Sequence, residues 1–136
     1  MGTMWVEVVT PERKVVGREC TMVSVRALDG EIGILPGHIP LVTVIVPGVL
    51  RIKDEQGEQR IALSAGFLEV GADHKVIILA ETAELSSEID VERARRAKTR
   101  AEERLAQKGN PEIDFVRNEM ALRKAIARIR AVDRDE

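Results

Sequence analysis

From Cys20 to Leu28 the side chains alternate, with Thr21, Val23, Val25 and Ala27 on one side and Cys20, Met22, Ser24 and Arg26 on the other. A period of two predicts a strand with one buried face. Met4-Trp5-Val6-Glu7-Val8-Val9, closed by Thr10-Pro11-Glu12, gives an earlier strand, and Arg60 to Ser64 and Val76 to Glu81 give later ones. The last of these is a continuous apolar run, which places it centrally in a sheet. Asp29-Gly30, Pro36-Gly37, Pro47-Gly48 and Gln56-Gly57 punctuate the same stretch at the spacing of about ten residues expected of an all-β module. Short strands between regular turns predict a sandwich or barrel.

Beyond residue 86 the period changes. Ser87-Glu88-Ile89-Asp90 has the spacing of a capping box, with Ser87 accepting from a backbone amide and Asp90 set against the helix dipole. A first helix is expected from there to Gln107, stopped by Gly109-Asn110-Pro111, and a second from Asp114 to Ala131. The second carries Phe115, Leu122, Ile126 and Ile129 near helical spacing; the first carries Val91, Ala94, Ala97, Ala101 and Leu105. Alanine buries little area, so at about 25 cal/mol per Å² the pair gains far less than a leucine-rich hairpin would. Its helices are therefore expected to be marginal together and able to exchange partners.

Charge divides the chain at the same place. Residues 1–89 hold 8 Lys/Arg against 13 Asp/Glu, residues 90–130 hold 12 against 7, and the last six residues bring the total to -2. A joint change of charge and residue type marks a module boundary near Ser86 to Asp90. The expected organisation is α+β, with a β module over 1–86 and a two-helix antiparallel hairpin over 87–136.

The 136-residue length makes a two-domain enzyme unexpected. Aromatic residues, 2% of the chain, are too few for stacking on single-stranded nucleic acid. One cysteine and two histidines exclude an internal disulfide and a Cys/His zinc site, and fit a reducing compartment. No apolar run approaches the roughly 20 residues needed to span a bilayer, so the chain is expected to be soluble, and neither a secretory nor a transit peptide is visible. Met1 to Thr3 read as an expression extension before Met4. Abundant charge, with Asn110 and Asn118 the only asparagines, fits a thermophilic source.

Three segments carry a resemblance. Gly30-Glu31-Ile32-Gly33-Ile34-Leu35-Pro36-Gly37-His38-Ile39-Pro40-Leu41, then Ser64-Ala65-Gly66-Phe67-Leu68-Glu69-Val70, then Ile89-Asp90-Val91-Glu92-Arg93-Ala94 resemble, in order and spacing, the signatures of the epsilon subunit of the bacterial F-type ATP synthase. Ala65 stands where that family usually has glycine. The resemblance spans essentially the whole chain and implies a ten-stranded β-sandwich followed by two helices. It further implies a non-catalytic subunit of the central rotor stalk of a proton-translocating enzyme, held at the cytoplasmic side of the bacterial cell membrane only through the complex. The sandwich would sit on the gamma subunit and the c-ring. The helices would move between a compact state and an extended state that reaches the catalytic alpha/beta hexamer and inhibits ATP hydrolysis.

The resemblance also carries site residues. Glu31 and His38 would contact the rotor; Arg123, Lys124 and Arg128 would meet an acidic segment of the beta subunit. ATP-binding members use an Ile/Leu-Asp-x-x-Arg-Ala motif, here Ile89 to Ala94, and the implied regulatory ATP site comprises Glu84, Asp90, Arg93, Ala94, Arg100, Lys124 and Arg128. Arg93 and Arg100 lie seven apart, on one helix face. Lys124 replaces an arginine of strongly binding members, keeping the charge and losing the bidentate fork. No cofactor is required otherwise, and no metal site is expected.

Read as residues alone, these positions have plainer roles. Glu31 and His38 lack the nucleophile, metal or phosphate loop that an acid/base couple needs, and read as a turn-fixing pair. No Gly-Lys-Ser/Thr follows Gly30-x-x-Gly33, so it is no phosphate loop. Glu92 with Arg96 and Glu119 with Arg123 have the spacing of ordinary helix-surface pairs, and Cys20 that of a small buried residue. Two other functional classes fit the residues less well. A nucleic-acid adaptor using the basic hairpin conflicts with the acidic first module, and a small β-barrel enzyme has no catalytic constellation.

Overall fold

The computed structural model describes residues 2–133; Met1 of the expected N-terminal extension and Arg134 to Glu136 of the acidic end lie outside the described residues. Ten strands build the first module: β1 (Met4–Val9), β2 (Lys14–Cys20), β3 (Met22–Ala27), β4 (Gly30–Ile34), β5 (Leu41–Ile45), β6 (Gly48–Asp54), β7 (Gly57–Leu63), β8 (Gly66–Val70), β9 (Lys75–Ala80) and β10 (Ala83–Leu85). They pair in the order β10-β7-β6-β3-β5-β8-β9-β1-β2, with β4 on β3. Only β1 and β9 run parallel.

The alternating side chains drive the sheet to fold over on itself. Val6, Val8, Val23, Ile52, Ile61, Leu68 and Ile78 meet in one core, each at 0% exposure. Arg18 of β2, the last strand of the path, reaches back to β6 and β7, pairing with Asp54 and donating to Gln59 at 3.2 Å. Two glycines are obligatory. Gly57 takes φ +146° where Asp54 Oδ1 accepts from the Gln56 and Gly57 amides at 2.8 and 3.1 Å, turning β6 into β7. At Gly66 a Cβ would lie 1.9 Å from the Leu79 carbonyl oxygen, so β8 and β9 approach closely only with glycine there.

Several sequence expectations need correction. The strand over Cys20 to Leu28 breaks at Thr21, whose amide and hydroxyl both donate to the Lys53 carbonyl at 2.8 and 3.1 Å. Cys20 therefore ends β2 and points into the same core as Val23, and burial pushes its thiol pKa up. It is an inert core residue. β9 does have neighbours on both sides, β8 and β1, but it alternates: Val76 and Ile78 are buried while Leu79 is 51% exposed.

At the module junction Ser87 does not cap a helix. Ser86–Glu88 is a 3-10 turn, Glu88 accepts from the Leu85 amide at 3.2 Å, and Asp90 caps α1 (Val91–Leu105) by accepting from the Arg93 amide at 3.1 Å. Asp114 caps α2 (Phe115–Val132) in the same way through the Arg117 amide at 3.0 Å. Between the helices Gly109 takes φ +81°. The hairpin buries Ala94 and Ala101 of α1 with Asn118 and Ala125 of α2, while Phe115, Leu122, Ile126 and Ile129 stay half-buried. On its surface Glu92 pairs with Arg95 and Lys98 with Glu102 at 3.8 Å, in place of the expected Glu92–Arg96 and Glu119–Arg123 pairs.

The main core draws every one of its buried members from β1 to β10. A fragment ending at Ser86 is therefore expected to fold alone, uncovering Val49, Ala62 and Arg60 on the outside of the sheet. A cooperative thermal transition in that fragment is the check; its loss would make the helices part of the sandwich core.

Candidate functional site

The hairpin reaches the sandwich through α2, which lies on β6 and β7. The apolar part of this contact is small: Val49, Ala62 and Ala131, with Ile89 alongside. The polar part centres on Arg60 of β7, which is 9% exposed. Its Nη1 donates to the backbone carbonyls of Asp133 at 2.8 Å and Arg130 at 3.2 Å, and its Nε donates to Glu58 at 3.0 Å. The last carbonyls of a helix have no partner within it and carry the negative end of its dipole, so a guanidinium there satisfies both needs at once. A second tie is the ion pair of Arg128 with Glu84 of β10.

Sequence reasoning missed Arg60. Its signal was an arginine inside a strand followed at once by Ile61-Ala62-Leu63, a position where an unpaired charge is costly. Of the residues implied for ATP, the structure joins Glu84 to Arg128 and joins Asp90 to Arg93 through the cap. Ala94 is 1% exposed in the helix packing. Arg93 and Arg100 are exposed, Lys124 is half-buried, and none of the three has a side-chain hydrogen bond or ion pair among the described residues. A cleft of about 650 Å³ between the helices takes in Arg100 with Arg104 and Arg117, and leaves the others of the set outside it. The Asp90 carboxylate is occupied by the cap and Arg128 by Glu84.

Glu31 and His38 do not form the expected pair. Glu31 meets Arg51 at 3.3 Å, and His38 Nδ1 lies 2.6 Å from the Ile39 carbonyl, beside Gly37 at φ +89°. Ile39 and Leu35 next to them are 75% and 56% exposed. A second exposed apolar surface was not foreseen. Val44 of β5, Phe67 of β8 and Leu79 of β9 are direct cross-strand neighbours facing outward, with Val42 beyond them. Val9, Pro11 and Ala65 extend this stripe into a groove of about 600 Å³. The sign of it in the sequence was Leu41 to Ile45, apolar on both faces of a strand.

Comparison with known proteins fits this architecture. Residues 3–86 match the family described as ATP synthase, Delta/Epsilon chain, beta-sandwich domain, and residues 87–133 the one described as ATP synthase, Delta/Epsilon chain, long alpha-helix domain. The ATP synthase epsilon chain of Halalkalibacterium halodurans is 52% identical over 129 residues, covering 95% of this chain and 96% of its own. That of Bacillus licheniformis is 50% identical over 129 residues, covering 95% and 97%. The chain belongs to the ATP synthase epsilon-chain family. Among solved structures, a chain of the Euglena gracilis mitochondrial ATP synthase, in an assembly of OSCP, F1 and c-ring, superposes with a TM-score of 0.81 at 23% identity, covering 93% of this chain and 79% of its own. At that identity the likeness speaks for the fold.

Within this epsilon-chain architecture Arg60 ties the end of the docked hairpin to the sandwich. Arg60→Met keeps the stem and removes the cap, while Glu58 retains Arg51 at 3.6 Å and Lys53 at 3.8 Å. The substitution is expected to weaken docking by about 1.5–3 kcal/mol, the scale of a hydrogen bond to a charged group. Faster amide exchange along α2, with β-strand amides unchanged, is the measurement.

Proposed function

We propose that the chain is a non-catalytic central-stalk subunit of a proton-translocating F-type ATP synthase, joining the catalytic head to the c-ring and restraining ATP hydrolysis through its hairpin. The observation that carries this reading is the separability of the two modules. The sandwich core is complete without the helices, and α2 is held on it by one arginine cap, one ion pair and a small apolar cluster. Such an element has two stable places to be, on the sandwich or on a partner, and a partner needs only to offer better contacts.

The surfaces divide the roles. The outward apolar stripe of Val42, Val44, Phe67 and Leu79 is the face for the gamma subunit, because water leaves such a surface readily when it is covered. The turns carrying Glu31 and His38 meet the c-ring end. Through these contacts the subunit is peripheral to the membrane, and none of its helices is long and apolar enough to cross one. Arg123, Lys124 and Arg128 suit the acidic segment of the beta subunit in the extended state, where Arg128 exchanges Glu84 for a carboxylate of the hexamer.

ATP is proposed as the regulatory ligand of the compact state. Arg93, Arg100 and Lys124 supply charge to the phosphates, and Asp90 holds the first turn of α1 in register. Arg93→Ala is expected to weaken ATP binding to the isolated chain about ten- to a hundredfold, as read by calorimetry. An unchanged dissociation constant would leave Arg93 as part of a solvated helix face.

The mechanism itself is tested by locking the hairpin. Val49 and Ala131 share the cluster under α2, so Val49→Cys with Ala131→Cys tethers the docked form. Oxidised enzyme assembled with this subunit is expected to hydrolyse ATP faster than the same enzyme after reduction. Equal rates would mean that the helices are not the inhibitory element.

A further inference from the structure

Where α2 crosses the sandwich, on the side away from its contact with Glu84, a cavity of about 670 Å³ lies between the two modules. Four arginines line it: Arg26 of β3 and Arg51 of β6 from the sandwich, Arg123 and Arg130 from α2. Glu31 is the one carboxylate of the lining, and Arg51 is already paired with it at 3.3 Å and with Glu58 at 3.6 Å. Arg26 and Arg123 have no side-chain hydrogen bond or ion pair among the described residues. Arg26 is held beside the cavity by its stem, which crosses Gly48 so closely that a Cβ there would lie 2.9 Å from the Arg26 Cβ.

Gathering guanidiniums at one seam raises their mutual repulsion unless an anion joins them. The size is that of a small-molecule site, within the range of roughly 300–1,000 Å³, and its walls come from two modules at once. Planar guanidinium forks match phosphate oxygens in pairs. The geometry points to an anion site at this seam that takes a di- or triphosphate group, through Arg26 on the sandwich side and Arg123 on α2. It shares no residue with the ATP site proposed above. Because the ligand touches both modules, it binds the docked hairpin and not the extended one, and by mass action it favours docking. It also withdraws Arg123 from the beta-subunit contact proposed above.

The test uses the full chain with tripolyphosphate at fixed low salt. Calorimetry is expected to show saturable 1:1 binding, with the Gly30 and Gly48 amide resonances shifting and amide exchange along α2 slowing. Arg26→Gln and Arg123→Gln should each weaken binding about tenfold, Arg123→Lys should fall between, and Arg96→Gln, which removes an equal charge outside the cavity, should leave it unchanged. All three positions are exposed, and an unshifted thermal transition confirms that each variant folds. Pyrophosphate and ATP distinguish the source: Arg26-dependent binding that is tighter for the free polyphosphates supports an inorganic ligand, and Arg26-dependent binding that is tighter for ATP supports the tail of a nucleotide. Non-saturating binding, equal affinity in Arg26→Gln and Arg96→Gln, or unshifted Gly30 and Gly48 resonances would overturn the site.

Discussion

Arg60 places a buried guanidinium where the α2 carbonyls run out, and the relation between the two modules hangs on that contact. A helix end set against a sheet leaves carbonyls that water cannot reach well, and an arginine inside a strand leaves a charge in the same difficulty. Each group is the other's solution. Lifting the helix away returns both to water together, so the contact is strong while formed and reversible as a unit. A leucine-rich seam of the same extent would have fused the hairpin to the sandwich.

The sandwich distributes its outer surfaces with little overlap. The face of β6 and β7 is covered by α2, the stripe across β5, β8 and β9 is apolar and open, and the turn bearing Glu31 and His38 projects Leu35 and Ile39. A core in which Ile34, Ile45, Leu50 and Ile61 are all fully buried keeps these surfaces at fixed angles to one another. In the proposed role, that rigidity lets one small subunit hold gamma and c-ring on some faces while releasing its helices from another.

The helix starts are held by the helices' own residues. Asp90 and Asp114 cap them locally, each through the amide three residues on, so neither start depends on the sandwich. Their mutual packing uses Ala94, Ala101 and Ala125, which lets the backbones approach but contributes little burial per residue. Ile126 and Ile129 stay half-buried, and Arg93, Arg100 and Arg123 are exposed.

What the sequence determined by itself was local. Alternation, turn residues and helical spacing depend on neighbours within a few positions, so the β module, the two helices and the change of character near Ser86 were legible, and the three signature segments carried the family. Where local signals competed, reading failed: Ser87 and Asp90 both suit a cap, and only the 3-10 turn at Ser86–Glu88 decided for Asp90. The two hydrogen bonds of Thr21 to Lys53 moved Cys20 into β2, a shift that no period within one strand reveals. The tertiary structure alone decided which distant charges meet, as with Arg60 and the end of α2, Arg128 and Glu84, or Arg51 and Glu31. It alone showed that Val44, Phe67 and Leu79 make one stripe and that arginines from β3, β6 and α2 share one cavity. Such pairings are set by strand order and by the angle at which α2 crosses the sheet, and those follow from packing the whole core at once.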